Sequence, residues 1–325
     1  MSADKPLKIS IAMATYNGGK YLQEQLNSFL AQARLPNELV ITDDCSTDNT
    51  LEIIQAFAAT APFEVRWEQN EKNLGYTGNF NQALMKTTGD LVFLSDQDDV
   101  WFPEKLKFIE TLARTSPGLL FLNDAQIVNA EGLDAGFTKF NQVRSAKRPS
   151  QSLVIGCCMG IKRELLDICL SINTNATAHD TWISNIAEYM KKRVVIPVVL
   201  QSYRRHSHNV SHGLTSGIRK RGIFYALYYD LKKKLFISDL SNHLTMQLNT
   251  MNKYKYLFYY IGEKSPDKLY IKNGLSEIER EVSNLKKRLR ISKRLRIYRI
   301  FPATKLFICG GYRSFSVFMR DLIIR

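Results

Sequence analysis

From Lys8 to Leu119 short apolar runs alternate with amphipathic stretches, and three of the apolar runs end in polar or acidic clusters. Lys8–Ala14 reads as a first strand, followed by a helix over Tyr21–Gln32 with Leu22, Leu26, Phe29 and Leu30 on one face. Glu38–Thr42 is a second strand ending in Asp43 and Asp44, and Thr47-Asp48 supplies capping chemistry for a helix through Ile53, Ile54 and Phe57. Glu64–Trp67 is a third strand, and Thr77 is placed to cap a helix carrying Phe80, Ala83 and Leu84. Leu91–Leu94 is the fourth strand, and Pro103 suits the start of another helix. Such alternation predicts an α/β fold with right-handed crossovers and a mainly parallel sheet. Ligands of such sheets collect at the carboxyl ends of the strands. Thr15–Asn17, Asp43–Asp44 and Asp96–Asp98 all fall there.

The fourth strand runs directly into Asp96, Asp98 and Asp99. Residues two apart on extended chain point the same way, so Asp96 and Asp98 can face one small volume. Like charges that close repel unless a cation or a proton lies between them. One or two carboxylates together with substrate phosphates are the usual setting for Mg²⁺ or Mn²⁺. The plainer alternative is a solvated acidic turn, with Asp99 helping to start the next helix.

Two common nucleotide motifs are absent. The first strand opens into Ala14-Thr-Tyr-Asn-Gly-Gly-Lys20, which is neither a GxGxxG turn nor a Walker-type loop. A carboxylate beside a pyrimidine ring can accept the ring N3–H, which gives Asp43-Asp44 a way to select uracil or thymine. A turn with a helix cap explains the same pair.

Beyond Leu119 the alternation weakens. Leu119–Leu122 and Leu153–Met159 read as strands, Lys162–Leu170 and Asp180–Met190 as helices, and Val194–Tyr203 as paired short strands broken by Pro197. From Ile218 onward the chain is helical, basic and aromatic. The net charge of +14 conceals a sharp division. Residues 1–213 hold 21 Lys and Arg against 23 Asp and Glu, whereas residues 214–325 hold 24 against 8, a net of +16. Two parts follow: a near-neutral region 1–213 carrying the site motifs, and a basic helical region 214–325. Gly217–Phe236 mixes aromatics with two triple-basic clusters, and Lys286–Arg299 interleaves eight cations with Leu289, Ile291, Leu295, Ile297 and Tyr298. That pattern suits a helix at an anionic bilayer interface. A solvated bundle with its own aromatic core is the alternative, and no nucleic-acid reader motif accompanies the charge. The amino terminus has no apolar stretch of signal-peptide length, and no run of 18 uncharged apolar residues occurs. Cys45, Cys157, Cys158, Cys169 and Cys309 lack metal-ligand spacing, and reduced thiols in a cytoplasmic protein are expected.

Ala14-Thr-Tyr-Asn17, Thr42-Asp-Asp-Cys-Ser-Thr-Asp48, Asn73-Leu-Gly75, Ser95-Asp-Gln-Asp-Asp-Val-Trp101 and His179-Asp-Thr-Trp182 occur in the order found in family 2 glycosyltransferases of the GT-A fold. The resemblance covers residues 7–212, roughly two thirds of the chain. The Asp96-Gln-Asp-Asp-Val-Trp101 form, Gly156-Cys-Cys-Met, His179-Asp180 and Tyr203-Arg-Arg-His-Ser-His-Asn209 look most like the rhamnosyltransferase-type branch. Cys45 stands where Gly or Asn is common, and Arg205-His206-Ser207-His208 varies the usual Arg-X-His-Gly pattern. The resemblance implies a Rossmann-like GT-A sheet and an inverting, metal-dependent hexosyl transfer. The donor would be a nucleoside diphosphate sugar, dTDP-L-rhamnose being favoured and UDP-hexoses competing, and the acceptor a surface polysaccharide or lipid-linked glycan.

The same resemblance implies roles for individual residues. Thr15, Tyr16 and Asn17 line the nucleotide pocket, Asp44 accepts the base N3–H, and Asp96 lies near ribose and metal. Asp98 ligates Mg²⁺ or Mn²⁺, with His206 as a further ligand. Asp180 is the base that deprotonates the acceptor hydroxyl, with a helix N-cap as its plain alternative. His179 and Asp99 support the site, and Trp101 packs on the acceptor side or in the core. Asn79 contacts the donor or caps its helix. Arg204, Arg205, His206 and His208 offer charge to a diphosphate or form a solvated turn. Two other functions stay open: a nucleotidyltransferase, which would need a Gly-rich phosphate loop, and a membrane-associated scaffold without activity.

Overall fold

The computed structural model describes residues 6–145, 154–170, 178–207, 209, 239–264, 269–293 and 296–323. The chain divides into two compact units, Met1–Glu188 with Lys192–Ile223, and Tyr189–Lys191 with Phe224–Arg325. The Gly217–Phe236 stretch, His208 and the first residue of the expected strand at Leu153 lie outside the described residues.

The first unit opens with β1 (Ile9–Thr15), α1 (Leu22–Leu30), β2 (Glu38–Asp43), α2 (Thr50–Ala58), β3 (Glu64–Gln69), α3 (Gly75–Lys86) and β4 (Leu91–Ser95). It continues with β5 (Val100–Trp101), α4 (Lys105–Thr115), β6 (Leu120–Val128), β7 (Asp134–Thr138) and α5 (Lys139–Ser145). A 3-10 turn (Gly156–Cys158), β8 (Met159–Lys162), α6 (Arg163–Leu170), α7 (His179–Tyr189) and β9 (Arg193–Arg204) complete it. The strand order is β3-β2-β1-β4-β8-β6-β9-β5, with β7 paired to β6. The first four strands are parallel, as the alternation implies. Beyond β4 the sheet is mixed, because β8 runs antiparallel to both β4 and β6, while β9 is parallel to β6.

That topology gathers the site. Thr15 pairs with Asp43 and Met13 with Ser95, so β1, β2 and β4 end together at one rim. β6 and β9 run the same way as β4, which brings Arg204 to that rim. β8 runs the opposite way, so the turn before it, Gly156–Cys158, arrives there too. Both faces of β1, β2 and β4 are covered, which explains their unbroken apolar runs. Ile11, Ile41 and Phe93 pack with Phe29, Trp101 and Ile109, all nearly solvent-free. Each such side chain contributes about 1.5–3 kcal/mol by leaving water.

Three expectations are corrected by tertiary partners. Thr77 does not cap α3, which begins two residues earlier. There Asp44 accepts the Leu74 N–H at 2.8 Å and Asn73 Oδ1 accepts that of Gly75 at 3.1 Å. Val194–Tyr203 is not a broken pair but a single strand, β9. Its register against β6 shifts from Asn123–Ile196 to Asp124–Val199, so Pro197 is absorbed in a bulge. The segment ending at Met159 is a 3-10 turn, and the strand starts where it was expected to stop.

The second unit holds α8 (Leu240–Lys264), α9 (Leu269–Ser292), a 3-10 turn (Arg296–Arg299), α10 (Ile300–Ile308) and α11 (Phe315–Ile323). Gly274 lets α9 close on α8, since a Cβ there would meet Phe258 Cε1 at 2.4 Å. A smaller cluster joins Ile291, Ala303, Leu306, Tyr312 and Phe318. No described helix is long and apolar enough to cross a membrane. Asp321, 1% exposed, accepts from Arg288 at 2.7 Å and from Arg320 at 2.7 Å. Asp321→Asn leaves two buried guanidiniums without a counter-charge and is expected to cost about 3–5 kcal/mol. Urea denaturation followed by far-UV circular dichroism measures it, and a loss under about 1 kcal/mol means the arginines find solvent instead.

Candidate active site

Thr15, Asp43, Asp44 and Asn79 meet at the β1 end. Thr15, buried, donates from Oγ1 to Asp43 at 2.9 Å, and its carbonyl accepts from the Asp44 N–H at 2.9 Å. Tyr16 is half exposed, and Asn17 sits at φ 48° with its amide oxygen accepting from Thr47 N–H at 2.8 Å. Asp43 spends both oxygens inside, on Thr15, Ser46 and Gln69. Asp44 differs: Oδ1 accepts from Asn70 at 2.9 Å and Leu74 at 2.8 Å, while Oδ2 has no hydrogen bond among the described residues. The adjacent carboxylates thus separate into a brace and an acceptor with spare capacity. Asn79, buried, donates to the Thr15 carbonyl at 3.1 Å and accepts from Asn70 at 3.0 Å. These bonds tie its amide to the Thr15 backbone and the Asn70 side chain at the β1 end.

The Tyr16–Gly19 backbone cradles no phosphate. Its four N–H groups donate to Gln97, Ser46, Thr50 and Asp48 at 2.8–2.9 Å. A phosphate-binding loop needs those donors directed at the ligand.

At the β4 end the three carboxylates converge. Oxygens of Asp96 and Asp99 and the Cys157 sulfur lie within 4.8 Å of one another. Burial, then the charges of Asp99 and Asp98, push Asp96 well above the usual carboxylate range. Burial and the Asp98 charge raise Asp99 to about 7. Carboxylates crowded in this way fit a divalent cation, whose charge removes the repulsion. Asp98 accepts from Asn209 at 3.0 Å and lies 2.7 Å from His206 Nε2, so the two expected ligands do meet. His206 stacks on Tyr21 with centroids 5.0 Å apart.

Asp99 holds the turn, accepting from the Gln201 amide at 2.9 Å and the Arg204 N–H at 3.1 Å. Arg204 is buried and committed to the Asp98 carbonyl, the Ala130 carbonyl and Glu24, so it is not a diphosphate contact. Trp101, 2% exposed, is a core residue against Phe29 and Phe93 and does not reach an acceptor surface. Its ring lies 3.7 Å from the Lys105 ammonium. Lys105 donates to the Cys157 carbonyl at 2.9 Å and to Gln201, and burial lowers it to about 8 against the pull of nearby acids. Sequence reading misses Lys105, Gln201, Cys157 and Asn209. One signal exists: Lys105 shares the inward face of α4 with Ile109 and Ala113, where a lysine is out of place.

α7 begins at His179, so Asp180 is inside the first turn and is not its cap. Its carboxylate accepts from Thr181 and is close enough to Asp96 to raise it further. Gly156 permits this approach, since a Cβ there would stand 3.2 Å from His179 Nε2 and 3.5 Å from Asp180 Cβ. His179 is 5% exposed, lies 4.3 Å from the Phe80 ring centre, and both its ring nitrogens lack partners among the described residues. Burial lowers it to about 4, opposed by Asp180, so it is neutral at physiological pH.

The rim therefore holds Asp44 with a carboxylate oxygen that has no hydrogen bond among the described residues, a crowded carboxylate group and a further carboxylate in the first turn of α7. Residues 10–170 match the family model described as glycosyl transferase family 2. An uncharacterized glycosyltransferase of Nostoc sp. is 36% identical over 123 residues, 38% of each chain. A dTDP-rhamnosyl transferase of Shigella flexneri is 36% identical over 99 residues, 29% of this chain and 34% of the other. The chain thus spans little more than a third of the length of these relatives. Among solved structures, Staphylococcus aureus TarS 1–349 with UDP-GlcNAc aligns at TM-score 0.51 and 18% identity, covering 94% of this chain and 93% of that one. A Pyrobaculum calidifontis mannosyltransferase with GDP-Man and Mn²⁺ aligns at TM-score 0.50 and 17% identity, covering 99% and 86%. These are likenesses of fold, and the fold is GT-A.

Proposed function

This chain carries a glycosyl transferase family 2 domain, and from that premise we propose that it transfers a sugar, with inversion, from a pyrimidine nucleoside diphosphate to a glycan or lipid-linked hydroxyl. The observation that carries the reading is the common rim of Asp44, the Asp96–Asp98–Asp99 group and Asp180. Thr15, Tyr16 and Asn17 form the base pocket, and Asp44 Oδ2 accepts the N3–H of uracil or thymine. Asp98 and His206, beside Asp96, would hold Mg²⁺ or Mn²⁺, which when bound offsets charge on the departing nucleoside diphosphate. Asp180 takes the proton of the acceptor hydroxyl. His179 orients the start of α7, and Asp99 keeps the Asp98 turn in place. The dTDP-L-rhamnose reading rests on the Shigella relative, and a UDP-hexose donor is the competitor.

The spent N–H groups of Tyr16–Gly19 weigh against a nucleotidyltransferase. Release of nucleoside diphosphate from a panel of dTDP-, UDP- and GDP-sugars with Mn²⁺ tests the whole reading. Turnover of the dTDP or UDP donors is expected, and no turnover of any donor with or without acceptor points to a scaffold. Asp44→Asn is expected to weaken UDP and dTDP binding about tenfold or more, because a donor amide replaces the acceptor. CDP, whose ring nitrogen accepts, should lose nothing. Calorimetric titration of the three nucleotides decides it, and equal losses for all three would mean a brace like Asp43.

A further inference from the structure

The last part of the second unit is one-sided in charge and two-sided in hydrophobicity. Residues 286–325 contain twelve Lys and Arg and a single acid, Asp321. Asp321 is buried and engaged by Arg288 and Arg320, so the outer surface of this stretch presents cations without carboxylates of its own. Lys286, Lys287, Arg290, Lys293 and Lys305 are exposed.

α10 has apolar residues on opposite faces. Ala303 and Leu306 point inward to Ile291, Tyr312 and Phe318. Phe301 and Ile308, seven residues and so about two turns apart, share the outward face and are 87% and 77% exposed. Lys305, four residues after Phe301, lies on the same side. Ile300 extends the apolar row at one end. Exposed Phe315 is a separate apolar residue, its ring 5.9 Å from Phe307, which packs on the inward cluster. Single exposed apolar residues are ordinary on soluble proteins, whereas a contiguous row marks a surface that meets something.

The charge says what that is. A second copy of this face would set Lys305 and the exposed cations near it in the chain against the same set, with no exposed acid of residues 286–323 to offset them. An anionic lipid surface accepts both features, since aromatic and aliphatic side chains enter the headgroup–acyl boundary while cations meet the headgroups. We infer that the outward face of α10, formed by Phe301, Lys305 and Ile308, docks the protein on an anionic bilayer. Attachment is peripheral, two large apolar side chains giving reversible insertion and the surrounding cations supplying attraction.

Flotation of the full chain with phosphatidylcholine vesicles, with and without phosphatidylglycerol, tests this. The parent is expected to float with the anionic vesicles at low salt, weakly with neutral ones, and to be only partly released at about 1 M salt, where the Debye length is about 3 Å. The pair Phe301→Ser with Ile308→Ser should lower the partition coefficient about tenfold or more, and Lys305→Glu about fivefold or more. These side chains are exposed, so melting temperature and donor turnover in solution should be unchanged. Because Gly217–Phe236 is also basic, the double serine variant isolates this face from general charge. A parent that stays in solution, or a double variant that floats as well as the parent, overturns the inference. So does a parent dimer that the double variant converts to monomer with vesicle binding intact, which would make the face an interface between copies.

Discussion

Asp180→Asn is expected to lower turnover about a thousandfold, within the range of a lost general base, while leaving donor affinity within about twofold. A base acts on the acceptor hydroxyl in the transition state and has no part in holding the nucleotide. Asparagine keeps the size of the side chain and still accepts from Thr181, so the first turn of α7 should survive. Single-turnover rates and nucleotide titration separate the two quantities. A modest loss of rate with a fallen melting temperature would show a residue that merely settles the helix start. Retained turnover without any such fall would move the base elsewhere on the rim.

Asp98→Asn comes next in expected size. Its carboxylate is shared by His206 and Asn209, both of which an asparagine oxygen can still satisfy, so the turn should persist. What it removes is a negative charge from the group that is otherwise only compensated by a cation. Nucleoside diphosphate binding should therefore stop responding to Mn²⁺, a loss of about ten- to a hundredfold in cation-dependent affinity. Titration of UDP and dTDP with and without Mn²⁺ measures it directly. If the variant binds either nucleotide as tightly as the parent in Mn²⁺, the ligand role assigned to Asp98 is wrong.

Much of the first unit is legible in the amino-acid sequence. β1, β2 and β4 are nearly uninterrupted apolar runs, and an apolar run of strand length flanked by helical periodicity leaves few readings. Their polar ends then follow from topology, which is why Asp44, Asp96 and Asp98 stand out together. The departure at Cys45 also has a cause: it sits at φ 67°, a conformation that glycine and asparagine adopt more readily. What the sequence does not disclose depends on partners distant in the chain. Asp44 and Asn73 start α3 in place of Thr77, and a β6 partner carries Pro197 through as a bulge. Arg204 looks like a ligand for phosphate in the sequence, yet three protein groups claim it. Lys105 and Cys157 come together only because β8 runs backwards between β4 and β6.

The Gln97 side chain closes a pair of hydrogen bonds on the Tyr16 backbone, accepting from its N–H at 2.9 Å and donating to its carbonyl at 3.0 Å. An amide used in this way imitates the peptide group of a neighbouring strand, and it extends the β1–β4 ladder one step past the sheet. Gly18 makes room for it, as a Cβ would meet the Gln97 oxygen at 2.3 Å. The loop of the proposed base pocket and the loop of carboxylates are therefore tied by two hydrogen bonds. On the proposed reading, a nucleotide entering between them would have less ordering left to do than at two untied loops.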